Sequence, residues 1–248
     1  MNRLICIKLC TIIALVFSAT IYSSAQNSEK YPVFLGNDKL PLAELFLNQP
    51  PANGSIAFAG DSIAYEAGKA MRQSPRGQQA IDDADSSPEY MIRRFAKAIN
   101  CNITPENSPK LLYLIRQTID DAYLTNKKAK SHYKRIRPFI YFNEPSAIAE
   151  EEESHRKSFS FPSSHAAMSW ASTLVLVELL PQYQNQILNT GHELCQSRVI
   201  VGYHFQSDID AAKHVAAATV ARLHADKAFL KAMKRARKEL SRNGVKNK

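Results

Sequence analysis

The side chains best suited to chemistry fall in three short clusters between Lys130 and Asp208. The first reads KSHYKRIRP over residues 130–138. The second is Pro162, Ser163, Ser164 and His165. The third opens with Ser197 and Arg198 and continues to His204 and Asp208. Together they supply the cations Lys130, Arg137 and Arg198, the hydroxyls of Ser163 and Ser164, two imidazoles and one carboxylate. An arginine fork can take two oxygens of a phosphate, while a lysine acts on it as a point charge. His204 and Asp208 are four apart, so the carboxylate can accept the imidazole Nδ1–H and leave Nε2 free to attack. His165 is a second imidazole able to carry a proton. The set suits gripping a phosphate and transferring it without a metal. There is no H-E-x-x-H or other persuasive metal-ligand cluster, and no cofactor is implied.

Taken one at a time, the clusters have plainer readings. Lys130 and Arg137 stand beside Lys127, Lys128, Lys134 and Arg135, as on a solvated basic helix. Ser163 suits a simple helix N-cap. His204 with Asp208 suits a structural histidine bonded to a nearby aspartate.

The elements that must position these groups read as helices. Glycine is sparse, and apolar residues recur three and four apart. Leu111, Leu112, Leu114, Ile115, Ile119, Ala122 and Tyr123 make one stripe. Ser163 to Leu180 makes a second helix, with Trp170, Leu174, Leu176, Val177 and Leu180 for the core. Asp208 to Leu230 makes a third. No convincing run of alternating strands appears, so an all-α, single-domain helical bundle is expected, with the chemistry at helix ends. Lys130 and Arg137, seven apart, should project from one helix face, and Pro138 should end that helix. Pro162 and Ser163 should begin the next, offering backbone N–H groups and a dipole to an anion. Gly202 suggests a turn before His204. Residues 26–58 and 143–158, the latter with the acidic run Glu150 to Glu153, read as loops.

The order and spacing resemble the K-x6-R-P, P-S-G-H and S-R-x5-H-x3-D pattern of the PAP2 superfamily, which also includes vanadium haloperoxidases. The flanking text YKRIRPF (133–139), SFPSSHAAMSWA (160–171), VGYHFQSDIDAA (201–212) and RGQQAIDDAD (76–85) is similar to bacterial class A nonspecific acid phosphatases. The resemblance covers roughly residues 60–235. It implies an all-helical fold and hydrolysis of small phosphomonoesters. His204 would be the nucleophile that becomes phosphohistidine, Asp208 its partner, and His165 first acid and then base. Lys130, Arg137, Ser163, the Ser164 N–H and Arg198 would hold the phosphate oxygens. It also implies an acidic pH optimum and phosphotransfer to alcohols as a side activity. The family pattern has glycine where this chain has Ser164; glycine lets a backbone approach closely, while serine keeps the N–H. Two other readings are a vanadium-dependent haloperoxidase and a non-catalytic phosphate-binding protein. Dimers are common among such proteins, which leaves a homodimer open.

Composition fits an exported protein. Arg3 and Lys8, an apolar run from Leu9 to Phe17 and small residues Ser23, Ser24 and Ala25 read as a secretory signal peptide over residues 1–25. The mature domain is then 26–248, periplasmic or secreted. The run is shorter than the ~20 residues that span a bilayer, and no second long apolar run follows, so stable membrane insertion is not expected. The formal charge of +9 falls to +7 without Arg3 and Lys8. Much of the excess is the tail, from Lys231 to Lys248. No aromatics interleave those charges as in single-strand binders, so nucleic acid is not expected as a partner. A basic protein still draws phosphorylated anions. Cys101 and Cys195 permit one disulfide or stay free thiols.

Overall fold

The computed structural model describes residues 33–245. The expected leader over 1–25 lies outside the described residues. Among the described residues there are helices and no strand. The three opening helices are each started by a serine that caps its own helix. Ser55 Oγ accepts from Phe58 N before α1 (Ile56–Met71). Ser74 and Ser87 do the same for α2 (Pro75–Asp82) and α3 (Pro88–Ala98), each with proline in the first turn.

The long helix α4 (Pro109–Tyr133) carries the expected stripe, burying Leu111, Leu114, Ile115, Ile119 and Ala122. It stops earlier than the sequence suggests. Lys134 turns left-handed, with φ 51°, and its N–H bonds Lys130 O. Arg137 is then extended, as a residue before proline should be, and caps the short α5 (Pro138–Tyr141). Lys130 and Arg137 therefore do not share a helix face.

The segment 143–158 is more ordered than a loop. It holds a one-turn 3-10 helix at Ala149–Glu151 and α6 (Glu152–Arg156). Among the described part of 26–58, Ala43–Leu45 is also a 3-10 turn.

The second expected helix is α7 (Ser164–Leu179), capped by Ser163. It is the central element, packed against α4, against α8 (Gln184–Ile200) and against α9 (Gln206–Leu223). Its buried residues are largely small, including Ala166, Ala167, Ser169, Ala171, Ser172 and Thr173, so neighbouring backbones can come close. On α8, a Cβ at Gly191 would lie 2.1 Å from Thr173 Oγ1. That contact requires glycine.

The third expected helix is in fact two. The chain leaves α9 at His224, and Asp226 accepts the N–H groups of Ala228 and Phe229 to start α10 (Lys227–Arg242). Most of the described basic tail is the outer face of α10, whose inner face buries Phe229, Met233, Ala236 and Leu240 in the main core. Cys101 and Cys195 are both free thiols, and Cys195 is fully buried. No helix among the described residues is long and apolar enough to cross a membrane.

Candidate active site

The C-terminal ends of α4 and α8, the N-terminal ends of α5, α7 and α9, and the loop before α7 meet around His204. The turn from α8 to α9 sets its position. Gly202 has φ +90° there, and any Cβ would lie 2.4 Å from a guanidinium nitrogen of Arg72. Tyr203 N and His204 N then both donate to Arg198 O, at 3.1 and 3.2 Å. The chain thus wraps the carbonyl of one site residue with the amide of another. Ser163 N donates to Asp208 O at 3.1 Å, which ties the start of α7 to the first turn of α9.

His204 is only 4% exposed. Its Nδ1 lies 3.3 Å from Asp208 Oδ2, and its Nε2 lies 3.1 Å from Arg137 NH1. A guanidinium can only donate. Nε2 is therefore the unprotonated nitrogen, and Nδ1 carries the hydrogen toward the aspartate. This is the tautomer a nitrogen nucleophile needs. Burial first, then Arg137, Lys130, Arg198 and His155, holds the imidazole well below its ordinary pKa.

Asp208 also caps α9, its Oδ2 accepting Phe205 N at 2.8 Å. Ser160 donates its hydroxyl to the same oxygen. Burial pushes the Asp208 carboxyl up, opposed by Arg135, Ser160 and the Phe205 N–H.

The three expected cations converge, but they are not equally engaged. Lys130 Nζ donates to Phe159 O at 2.5 Å and Ser160 O at 3.2 Å. Arg137 straps down the loop before α7, bonding His155 O, Ser158 O and Ser158 Oγ as well as Tyr203 O. Arg198 is different. It is 3% exposed, lies 5.1 Å from the Tyr203 ring centroid, and leaves Nε and NH1 buried with no hydrogen-bond partner among the described residues. His165 Nε2 is buried and unpartnered in the same way, and burial, Arg198 and His155 hold its pKa well down. Buried donors left unmade cost about 1–3 kcal/mol each. Here they point to an anion that completes them. Among the described residues, no group of three or more His, Cys, Asp or Glu is placed to hold a metal ion.

Ser163 accepts Ala166 N at 3.3 Å as an N-cap, which leaves its own hydroxyl hydrogen to donate. The Ser164 hydroxyl is engaged from α4, accepting Asn126 Nδ2 at 2.9 Å.

Comparison with known proteins decides which family owns this arrangement. The PAP2 superfamily profile matches residues 111–229. The non-specific acid phosphatase of Providencia stuartii is 40% identical over 210 residues, 84% of this chain and 85% of that protein. This chain belongs to the PAP2 superfamily, among its bacterial class A acid phosphatases. The non-specific acid phosphatase of Salmonella typhimurium is 34% identical over 226 residues, 91% of this chain and 90% of that one. The acid phosphatase of Zymomonas mobilis is 32% identical over 198 residues, covering 80% and 75%.

Within this PAP2 site the structure adds groups that sequence reasoning missed. Arg135, read above as one charge on a solvated helix, is 9% exposed and turned inward. A signal for it did exist. In the extended link after α4, alternate residues share a side, so Arg135 and Arg137 point in while Ile136 between them is 48% exposed. Ser160 and Asn126 carried no signal. His155, in the segment read as a loop, stacks on Tyr203 with ring centroids 4.0 Å apart. Its pKa is pushed down to about 3, by burial first and then Arg137. Ser197 of the third cluster is engaged elsewhere: its hydroxyl donates to buried Asp83 and accepts from Arg76. Its part is to lock α8 against α2.

Proposed function

We propose that this acid phosphatase hydrolyses phosphate monoesters in two steps through a phosphohistidine on His204. The observation that carries the proposal is the placement of His204, its Nε2 3.1 Å from the Arg137 guanidinium and its Nδ1 on Asp208, beside an Arg198 that holds unpartnered donors. In the first step the Nε2 lone pair attacks phosphorus and the bond from phosphorus to the ester oxygen breaks. Protonated His165 gives its proton to the departing alkoxide. In the second step neutral His165 takes a proton from water, the hydroxide attacks phosphorus, and the bond from phosphorus to Nε2 breaks. Inorganic phosphate leaves, and His165 is again protonated. Asp208 stabilises the charge that develops on the ring through its Nδ1–H. Lys130, Arg137, Ser163, the Ser164 N–H and Arg198 hold the non-bridging oxygens.

An acidic optimum follows from the proton requirement. His165 must be charged while His204 is neutral, and the dianionic ester opposes the burial and the Arg198 charge that otherwise hold His165 down. An alcohol in place of water in the second step gives phosphotransfer. Export to the periplasm or beyond belongs to the same proposal and rests on the reading of residues 1–25.

The role of His165 is tested with esters of different leaving groups. His165→Ala should slow alkyl phosphates most. With a nitrophenyl ester it should give a burst of about one product per site, then stall. Equal loss of burst and steady-state rates for all esters would leave His165 a binding group only.

A further inference from the structure

The strongest unassigned arrangement is a buried chain of charges behind His204. Arg135 NH1 donates to Asp208 Oδ1 and to Ser207 Oγ, each at 2.7 Å. Its NH2 donates to Asp61 Oδ2 on α1, also at 2.7 Å. Asp61 in turn accepts Ser207 N at 2.8 Å and the Ser207 hydroxyl at 2.6 Å. The guanidinium carbon lies 4.1 Å from the Phe205 ring centroid. Asp61 and Asp208 are buried at least as deeply as Arg135.

We propose that Arg135, held by Asp61, is a positioning residue that keeps Asp208 ionised and its Oδ2 turned toward His204. The inference rests on His204 being the nucleophile. With Oδ1 taken by Arg135, the other oxygen accepts Phe205 N, the Ser160 hydroxyl and the His204 Nδ1–H. A carboxylate rotated or protonated could not do this, and the ring would lose the tautomer that frees Nε2.

The charges around Asp208 show why a dedicated partner is needed. Lys130 of α4 and Arg137 of α5 act on it at a distance, but their donors go to backbone carbonyls, to Ser158 and to His204. His204 stands on its own loop, and Asp61 of α1 is one bond further out. Among the described residues, Arg135 is the one cation in direct contact with the carboxylate. It contacts neither the unpartnered donors of Arg198 nor His165.

The sign of the pH effect follows. Removing Arg135 leaves burial less opposed, so Asp208 holds its proton to higher pH. The acid limb of kcat/KM, which belongs to the His204–Asp208 pair as a unit, should move to higher pH. A lysine could replace one contact of the fork but not both.

The experiment measures pH–rate profiles, inhibition by inorganic phosphate and folded fraction for Arg135→Gln, Arg135→Lys and Asp61→Asn in the full protein. The expected result is a kcat loss of roughly 10²-fold for Arg135→Gln, smaller than the ~10⁴-fold cost of losing the orienting carboxylate itself, because Asp208 remains. Its acid limb should move up by about one pH unit, with phosphate inhibition changed less than about threefold. Arg135→Lys should recover part of the rate. Asp61→Asn should shift the limb in the same direction by less, and it decides the matter if the Arg135 variants do not fold. Folded variants with the parent's limb and kcat would make the network structural only and overturn the proposal. Alkaline-quench trapping on the parent separates the two readings. Without phosphohistidine there, the mechanism itself fails; with it and an unmoved limb, only the role of Arg135 fails.

Discussion

At the start of α4 a helix end is closed from across the bundle. Glu239 of α10 accepts the N–H groups of Lys110 and Leu111, and Asn243 donates to Asn107 O and Ser108 Oγ. At the end of α8, Arg198 and beside it His165 keep buried polar atoms with no partner. Both regions bring charged side chains to helix ends. One spends them on the fold, and the other holds them open for a ligand at a cost in stability. Burial alone does not distinguish the two ends, since Asp83 and Arg198 are both buried. Among the described residues, buried atoms without a partner also occur singly elsewhere, at Arg72, Arg76 and Gln117. The site differs in having two of its charged or titratable side chains, Arg198 and His165, waiting side by side.

That contrast makes Arg198 and Glu239 respond oppositely to removal. Arg198→Ala should lower kcat/KM roughly 10²–10³-fold, the range for losing one transition-state donor. Its unliganded form should melt no lower than the parent. A large drop in melting temperature would show that Arg198 is structural.

The two regions should also diverge with pH. His155, His165 and His204 are held below the ordinary histidine value. The unfolded chain therefore binds more protons than the fold once pH drops below about 6.5. Their contribution to stability is intact above that value and is lost as pH falls toward about 3, the value for His155. Asp120 and Asp121 on α4 are raised by burial to about 6 and about 7. They act the other way, fully stabilising below the ordinary carboxyl value of 3.8 and losing that effect as pH rises from there to about 6 for Asp120 and about 7 for Asp121. Saturating inorganic phosphate should relieve only the histidines. Its gain in melting temperature should be larger at pH 5 than at pH 7.5, and a gain independent of pH would contradict this. Smallest of all, Glu239→Gln should cost about 1 kcal/mol by urea unfolding, the order of a lost helix cap, with kcat unchanged.

Much of this was legible in the sequence because it is local. Ser163 capping a helix, the turn at Gly202, His204 four residues before Asp208 and the stripe of α4 all depend on neighbours in the chain. What was misread depends on distant ones. The stretch from Lys130 to Arg137 has helical composition, yet the chain must turn at Lys134 to bring Arg137 to His204. The stripe crossing from α9 to α10 hid a break that Asp226, a strong N-cap, marks in retrospect. Arg135 looked like any surface cation because its partners, Asp61 and Asp208, stand more than seventy residues away on either side.

The central claim is that His204 Nε2 is the atom that takes the phosphoryl group. The direct test is rapid alkaline quench of the enzyme with a radiolabelled phosphomonoester, followed by mapping of the labelled peptide at alkaline pH and an acid-lability check on the label. The account predicts an acid-labile, base-stable phosphate on the peptide that contains His204. It should reach about one per active site in His165→Ala, and it should be absent in His204→Ala, whose turnover falls roughly 10⁴-fold or more with the fold intact. Label on another residue, or substantial turnover in His204→Ala, would contradict the account.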